Sequence, residues 1–334
     1  MPNLTHKIFI LGSGTWGTAI ANLLASKGDE VYLWSKFQNE IDLLKSSKQH
    51  KNLPGTILND SIIFTTSLNE LENAEFVVFA TPSIFIKETA ILAKPHLHKD
   101  QIIIDVAKGI EKDSLYTMSE LIKSVLGNEF NVVALSGPTH AEEVAKLMPT
   151  LIVSACENDE VAKRVQEVFS TRYFRVYTNN DIVGVELSGA LKNIVALAAG
   201  ISYGLGYGDN AKAAIVTRGL AEITRLGKAM GCNPYTFSGL TGIGDIVVTA
   251  TSMHSRNNKC GMYIGQGLEI DEAIAKVGMV VEGINALDAA IQLEEKYKVE
   301  LPIAHAVYDI VKKHRNVKQT VEDLFARSLK EEGN

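Results

Sequence analysis

Short, unbroken apolar runs recur along the first half of the chain: one opening at Ile8, then Val31–Trp34, Ile62–Thr65, Phe76–Ala80, Ile102–Val106 and Val132–Ser136, with amphipathic stretches between most of them. Runs apolar on both faces that alternate with helical periodicity predict strands buried in a mostly parallel sheet with helices on either side. Two more runs, Leu151–Ala155 and Tyr173–Tyr177, flank the helix-like Asp159–Ser170 and are expected to extend that sheet. From about Asn180 the pattern changes: helical spacing dominates Val183–Ser202, Lys212–Met230, Ile284–Tyr297, Ile303–Lys313 and Thr320–Leu329, and strand-like runs almost vanish. A boundary near Thr178–Asp181 is therefore expected, with a doubly wound α/β domain over residues 1–180 and an all-helical domain over 181–334. The length of 334 residues suits two cores better than one.

The first run passes into Gly12-x-Gly14-x-x-Gly17 and then into a helix pattern rich in small residues. Such a strand, turn and helix binds a dinucleotide pyrophosphate through bare backbone, because Gly12 permits the tight turn, Gly14 lets the main chain approach the phosphates and Gly17 lets helix and strand pack closely. The N–H groups and positive dipole end of a helix starting near Thr15 would face the anion. Spacing alone is weak evidence, since glycines also serve ordinary turns; its place between a buried strand and a helix makes the first domain Rossmann-like.

A net charge of −6 offers no basic field for nucleic acid or an anionic membrane, so any phosphate recognition has to be local. Cys156, Cys232 and Cys260 are far apart and lack metal-ligand spacing, which reads as reduced thiols with neither a disulfide framework nor a metal site. The start MPNLTHKIFI lacks the pattern of a signal peptide, and the most apolar long segment, Val183–Gly208, carries Glu186, Lys192 and several glycines. A cytoplasmic protein without membrane insertion is expected.

In an open α/β sheet, ligands lie beyond the carboxyl ends of the strands. A free ribose 2′-hydroxyl usually meets an acidic residue roughly 20 positions past the glycines. Here Ser35, Lys36 and Phe37 stand there, and Asp29 and Glu30 precede the strand. A hydroxyl and a cation favour a 2′-phosphate, and hence NADPH; the alternative is that Lys36 is a solvated first-turn residue. Ala80–Ser83 follows the fourth strand-like run, Phe76–Ala80, and Ala107-Lys108-Gly109 the fifth, where Lys108 is either a cation for substrate oxygens or a surface lysine. Ser136-Gly137-Pro138-Thr139-His140-Ala141 is a turn entering a helix. His140, alone in a first turn, is more often structural than a proton carrier.

Lys192 interrupts an otherwise small and apolar helix pattern, followed by Asn193. Buried there, or beside a second cation such as Lys108, it would have a pKa near neutrality, as a general acid/base needs; a snorkelling lysine is the other reading. Asp245 and Thr249, four apart after a glycine-rich turn, share a helical face. Asp245 could accept a substrate hydroxyl, fix Lys192 or cap the helix. Ser255, Arg256 and Asn257 add a planar fork of donors, a hydroxyl and an amide suited to a phosphate.

Over nearly its whole length the chain resembles the bacterial-type NAD(P)-dependent glycerol-3-phosphate dehydrogenases. The matching segments are GSGTWGTAIA (12–21), AKGIE (107–111), LSGPTHAEEVA (135–145), ELSGALKNIVALAAGI (186–201), GLGYGDNAKAAIVTRGLAEI (204–223), GLTGIGDIVVTATS (239–252), SRN (255–257) and VVEG (280–283). The resemblance implies reversible reduction of dihydroxyacetone phosphate to sn-glycerol 3-phosphate with NADPH/NADP or NADH/NAD, supplying phospholipid synthesis. It implies Lys192 as acid/base, with Lys108, Asn193, Asp245 and Thr249 around it, and substrate contacts from Lys108, Gly137, Thr139, Lys192, Asp245, Ser255, Arg256 and Asn257. Beyond the glycines, cofactor neighbours would be Thr15, Trp16, Lys36, Lys108, Ala141, Arg256, Val280 and Glu282. His140 and His254 depart from the aromatic and apolar residues usual there. A homodimer is compatible with the sequence, which does not fix the oligomeric state. Two competing readings differ in what they require: a dehydrogenase of unphosphorylated oxo or hydroxy acids has no use for Ser255–Asn257, and a cofactor-sensing regulator has none for a buried Lys192.

Overall fold

A computed structural model describes residues 5–329 and 331–332; the outermost positions of both expected domains, 1–4 and 333–334, and residue 330 lie outside the described residues. Eight strands, β1 (Lys7–Leu11), β2 (Glu30–Trp34), β3 (Ile63–Thr65), β4 (Phe76–Phe79), β5 (Ile102–Asp105), β6 (Asn131–Ser136), β7 (Thr150–Ala155) and β8 (Phe174–Asn179), form one sheet in the order β3-β2-β1-β4-β5-β6-β7-β8. Every neighbouring pair is parallel except β6 and β7, so the two late β-rich runs do extend the sheet, entering through one antiparallel step. Helices α1 (Thr15–Lys27), α2 (Gln38–Ser47), α3 (Ile86–Ala93), α4 (Met118–Leu126), α5 (Ala141–Val144) and α6 (Asp159–Phe169) connect the strands. The central strands are buried on both faces: Ile8, Ile10, Val78 and Ile104 belong to one apolar cluster, and Phe9, Leu11, Val77 and Ile103 to the opposite one. That two-sided burial is why these strands read as continuous apolar runs.

The sheet's last strand ends at Asn179, and α7 (Ile182–Gly204) begins three residues later. After it come α8 (Asp209–Ala229), α9 (Pro234–Phe237), α10 (Asp245–Thr251), α11 (Arg256–Gly265), α12 (Ile270–Val277), α13 (Glu282–Asn285), α14 (Leu287–Tyr297), α15 (Pro302–Lys313) and α16 (Val317–Phe325). Of these, α9, α11 and α12 have no counterpart among the expected helices, the expected helix from Ile284 is broken into α13 and α14, and the last helix sits a few residues earlier than its periodicity suggests. Helix α7 is long and apolar enough to cross a membrane, yet almost all of it is buried as the axle of the helical domain.

Helix α11 (RNNKCGMYIG) has weak intrinsic propensity and is held by packing. Gly200 and Gly204 of α7 meet Gly261 and Gly265 of α11 backbone to backbone. A Cβ at Gly200 would fall on the Asn258 carbonyl oxygen, and one at Gly261 on the Leu197 carbonyl oxygen. Gly261→Ala is therefore expected to cost about 3 kcal/mol, the range of overpacked cores. Its urea midpoint should drop accordingly; an unchanged midpoint would show that the two helices can separate at no cost.

Candidate functional site

The turn after β1 has the shape a pyrophosphate cradle needs. Gly12 has φ +125° and donates its N–H to the Trp34 carbonyl (3.0 Å), and a Cβ there would press on the Ala80 backbone at 2.8 Å. A Cβ at Gly14 would meet nothing within 4 Å, so bare backbone faces open space at the N-terminus of α1, which no side chain caps. Unclaimed N–H groups, a helix dipole and an open approach fit a dinucleotide's phosphates. Thr15 accepts a hydrogen bond from Asn52 (3.3 Å), and Trp16 packs against the core of the α/β domain.

At the carboxyl end of β2 the structure adds a carboxylate to the hydroxyl and the cation expected there. Lys36 is exposed and paired with Glu88 of α3 at 2.6 Å. Glu40 reaches back from the first turn of α2 and accepts hydrogen bonds from Ser13 (2.7 Å) and Ser35 (2.6 Å). The corner holds a carboxylate as well as a hydroxyl and a cation.

Where β5, β6, α7 and α10 converge, Asp245 is buried at 1% side-chain exposure and binds two ammonium groups. Lys192 reaches Oδ1 and Lys108 reaches Oδ2, both at 2.6 Å. Lys192 also donates to Thr249 (2.6 Å), and Lys108 to the Gly137 carbonyl (2.9 Å). The snorkelling alternative for Lys192 is thereby removed. The Asp245 carboxylate ties α7 of the helical domain to the β5 end of the α/β domain. Burial, opposed by Asp245 and reinforced by Lys108, brings the Lys192 pKa down to about 7. Burial works to raise the Asp245 carboxyl, but the two lysines prevail and hold it below its ordinary value.

Around this core, Asn193 accepts from Asn257 (2.9 Å), whose own oxygen accepts from Gly283 N–H (2.9 Å), and Thr139 donates to the Gly137 carbonyl (3.1 Å). Ser255 caps α11 by accepting from Asn258 N–H (3.2 Å). Arg256 is different: among the described residues it has no hydrogen bond or ion pair, and desolvation lowers its pKa against the pull of Glu282 and Glu142. Ala141 is the first residue of α5, and Val280 lies just before α13. Burial lowers the His140 pKa, and its Nε2 donates to the Val248 carbonyl (3.3 Å), with the His254 ring 5.8 Å away.

Two clasps across the domain junction were not legible in the sequence, and they share one chemistry. Ser83 gives its N–H (3.0 Å) and Oγ (2.6 Å) to the carboxylate of Glu282, and Ser119 gives its N–H (2.7 Å) and Oγ (2.5 Å) to Glu186. Glu282 and Glu186 come from the helical domain, Ser83 and Ser119 from the α/β domain. Each pair joins distant parts of the chain, so only folding reveals it.

Two family models match, the N-terminal domain of NAD-dependent glycerol-3-phosphate dehydrogenase over residues 7–162 and its C-terminal domain over residues 181–322. The chain belongs to the NAD-dependent glycerol-3-phosphate dehydrogenases. It is 52% identical over 332 residues to glycerol-3-phosphate dehydrogenase [NAD(P)+] 2 of Lactobacillus delbrueckii subsp. bulgaricus, covering 98% of both chains. Identity to the Bacillus subtilis enzyme is 46%, covering 96% of this chain and 94% of the relative. The crystal structure of the Coxiella burnetii glycerol-3-phosphate dehydrogenase superposes with a TM-score of 0.93 at 36% identity, over 97% of this chain and 99% of that one. This glycerol-3-phosphate dehydrogenase family member is thus an oxidoreductase whose cofactor is NAD or NADP.

Proposed function

We propose that the chain catalyses dihydroxyacetone phosphate + NAD(P)H + H+ ⇌ sn-glycerol 3-phosphate + NAD(P)+, with Lys192 as the proton donor. The observation that carries this reading is the buried Lys192–Asp245–Lys108 arrangement: an ammonium poised near neutrality, beside a second cation, at the carboxyl edge of the sheet. The turn of Gly12, Gly14 and Gly17 would hold the dinucleotide's pyrophosphate, and the reduced cofactor would supply the hydride.

The chain's own residues do the rest. Lys192 and Lys108 polarise the C2 ketone and stabilise the negative charge that develops on its oxygen as the C–H bond forms. The Lys192 ammonium then passes a proton to that oxygen and is left as an amine, still held by Asp245 and Thr249 for reprotonation. Asp245 fixes both nitrogens so that neither has to reorganise. Arg256, with its donors unclaimed and set at the N-terminus of α11, is suited to the substrate's phosphate. Binding energy collected there, away from the reacting carbon, orients the ketone. In the cell we assign the enzyme to the cytoplasm and to the supply of glycerol phosphate for phospholipids.

The test is loss of reduced-nicotinamide absorbance on adding dihydroxyacetone phosphate, with unphosphorylated dihydroxyacetone and 2-oxo acids alongside. Turnover is expected with the phosphate ester alone. Comparable turnover with a 2-oxo acid would defeat the substrate assignment, and cofactor binding without turnover of any of them would defeat the catalytic one.

A further inference from the structure

Glu40 occupies a position that the established family chemistry leaves unexplained. Its Oε2 accepts from Ser13, the residue between Gly12 and Gly14, and from Ser35, the first residue after β2. Both serines are buried, and Ser35 is oriented further because its Oγ accepts from Phe37 N–H (3.2 Å). Gly12 N–H to the Trp34 carbonyl closes the two backbone segments on each other. The carboxylate is therefore fixed where the glycine turn meets the carboxyl end of β2, the corner that receives the adenosine ribose in a doubly wound sheet.

We propose that Glu40 reads the ribose 2′ position, accepting a hydrogen bond from a free hydroxyl and opposing a 2′-phosphate. Among the described residues its Oε1 has no partner, so one acceptor remains for a ribose hydroxyl. The local charges agree. The one cation expected to welcome a 2′-phosphate, Lys36, is paired with Glu88, so Glu40 adds a negative charge that nothing bonded to it cancels. Among the described residues His50 also faces Glu40, and burial, reinforced by Lys51, lowers its pKa, which works against a compensating positive charge there. The enzyme selects NADH over NADPH, the reverse of what Ser35 and Lys36 alone suggest. This rests on the assignment of NAD or NADP as cofactor and is independent of the substrate.

Equilibrium binding of NADH and NADPH, followed by calorimetry or nucleotide fluorescence without substrate, tests it. Wild type is expected to bind NADH at least about tenfold more tightly, and Glu40→Gln to narrow the ratio by about tenfold, chiefly by tightening NADPH, as removal of one nearby charge from a phosphate requires. Lys36→Ala should widen the ratio, which provides a second reading should Glu40→Gln disturb the turn. Equal or tighter NADPH binding by wild type, or a ratio untouched by Glu40→Gln, would overturn the proposal. NADH binding without turnover of dihydroxyacetone phosphate would defeat the substrate assignment and leave the role of Glu40 standing.

Discussion

Lys192→Ala is expected to lower kcat by about a hundredfold or more, the loss typical of removing a positioned acid/base. Two features make the effect large. The amine is buried, so water reaches its place poorly, and its removal leaves Asp245 and Thr249 facing a gap with only Lys108 to balance the carboxylate. The wild-type pH profile carries the same signature. Because the Lys192 pKa lies at about 7, the donor is protonated below that pH and lost above it. Ketone reduction should therefore weaken as pH rises through about 7, while alcohol oxidation, which needs the amine free, should strengthen. A Lys192→Ala enzyme with near-native turnover, or identical pH dependence in the two directions, would remove Lys192 from the mechanism.

Arg256→Ala is the second large effect, and it should fall on binding. With its side chain exposed and its guanidinium unclaimed among the described residues, and with Ser255 and Asn257 committed to α11, Asn193 and α13, Arg256 is the side chain of that trio left to meet a phosphate. Its loss is expected to raise KM for dihydroxyacetone phosphate about a hundredfold, in line with truncating one partner of a desolvated charge pair, with kcat within about threefold. Initial-rate kinetics at saturating cofactor check this. A fall in kcat at constant KM would place Arg256 in the chemical step instead.

The sequence is most legible where chemistry breaks a local pattern. Lys192 stood out because a long cation in a helix of small aliphatic residues calls for a reason, and the glycine turn because its spacing sits between a buried strand and a helix. The two-domain grammar was plain for the same cause, since strands buried on both faces and helices buried on one leave different periodicities. Side chains that act by reaching stayed hidden. Glu40 does not stand out in the sequence because an acidic partner for the ribose is expected just after β2, whereas this carboxylate spans the distance from the next helix. Ser83 with Glu282 and Ser119 with Glu186 were invisible because their meaning lies in a partner on the other domain. For Asp245 the choice between fixing a lysine and capping a helix turns on contacts with Lys192 and Lys108 that only the folded chain makes.

The glycine contacts between α7 and α11 set the enzyme's ruler. Lys192 rides on one helix and Arg256 opens the other, and the two backbones touch with no side chain between them to give way. The backbone spacing between these two positions is thus set by helix packing. If Lys192 gives the proton and Arg256 takes the phosphate, as proposed, that helix packing sets the backbone spacing a substrate's carbon skeleton has to span.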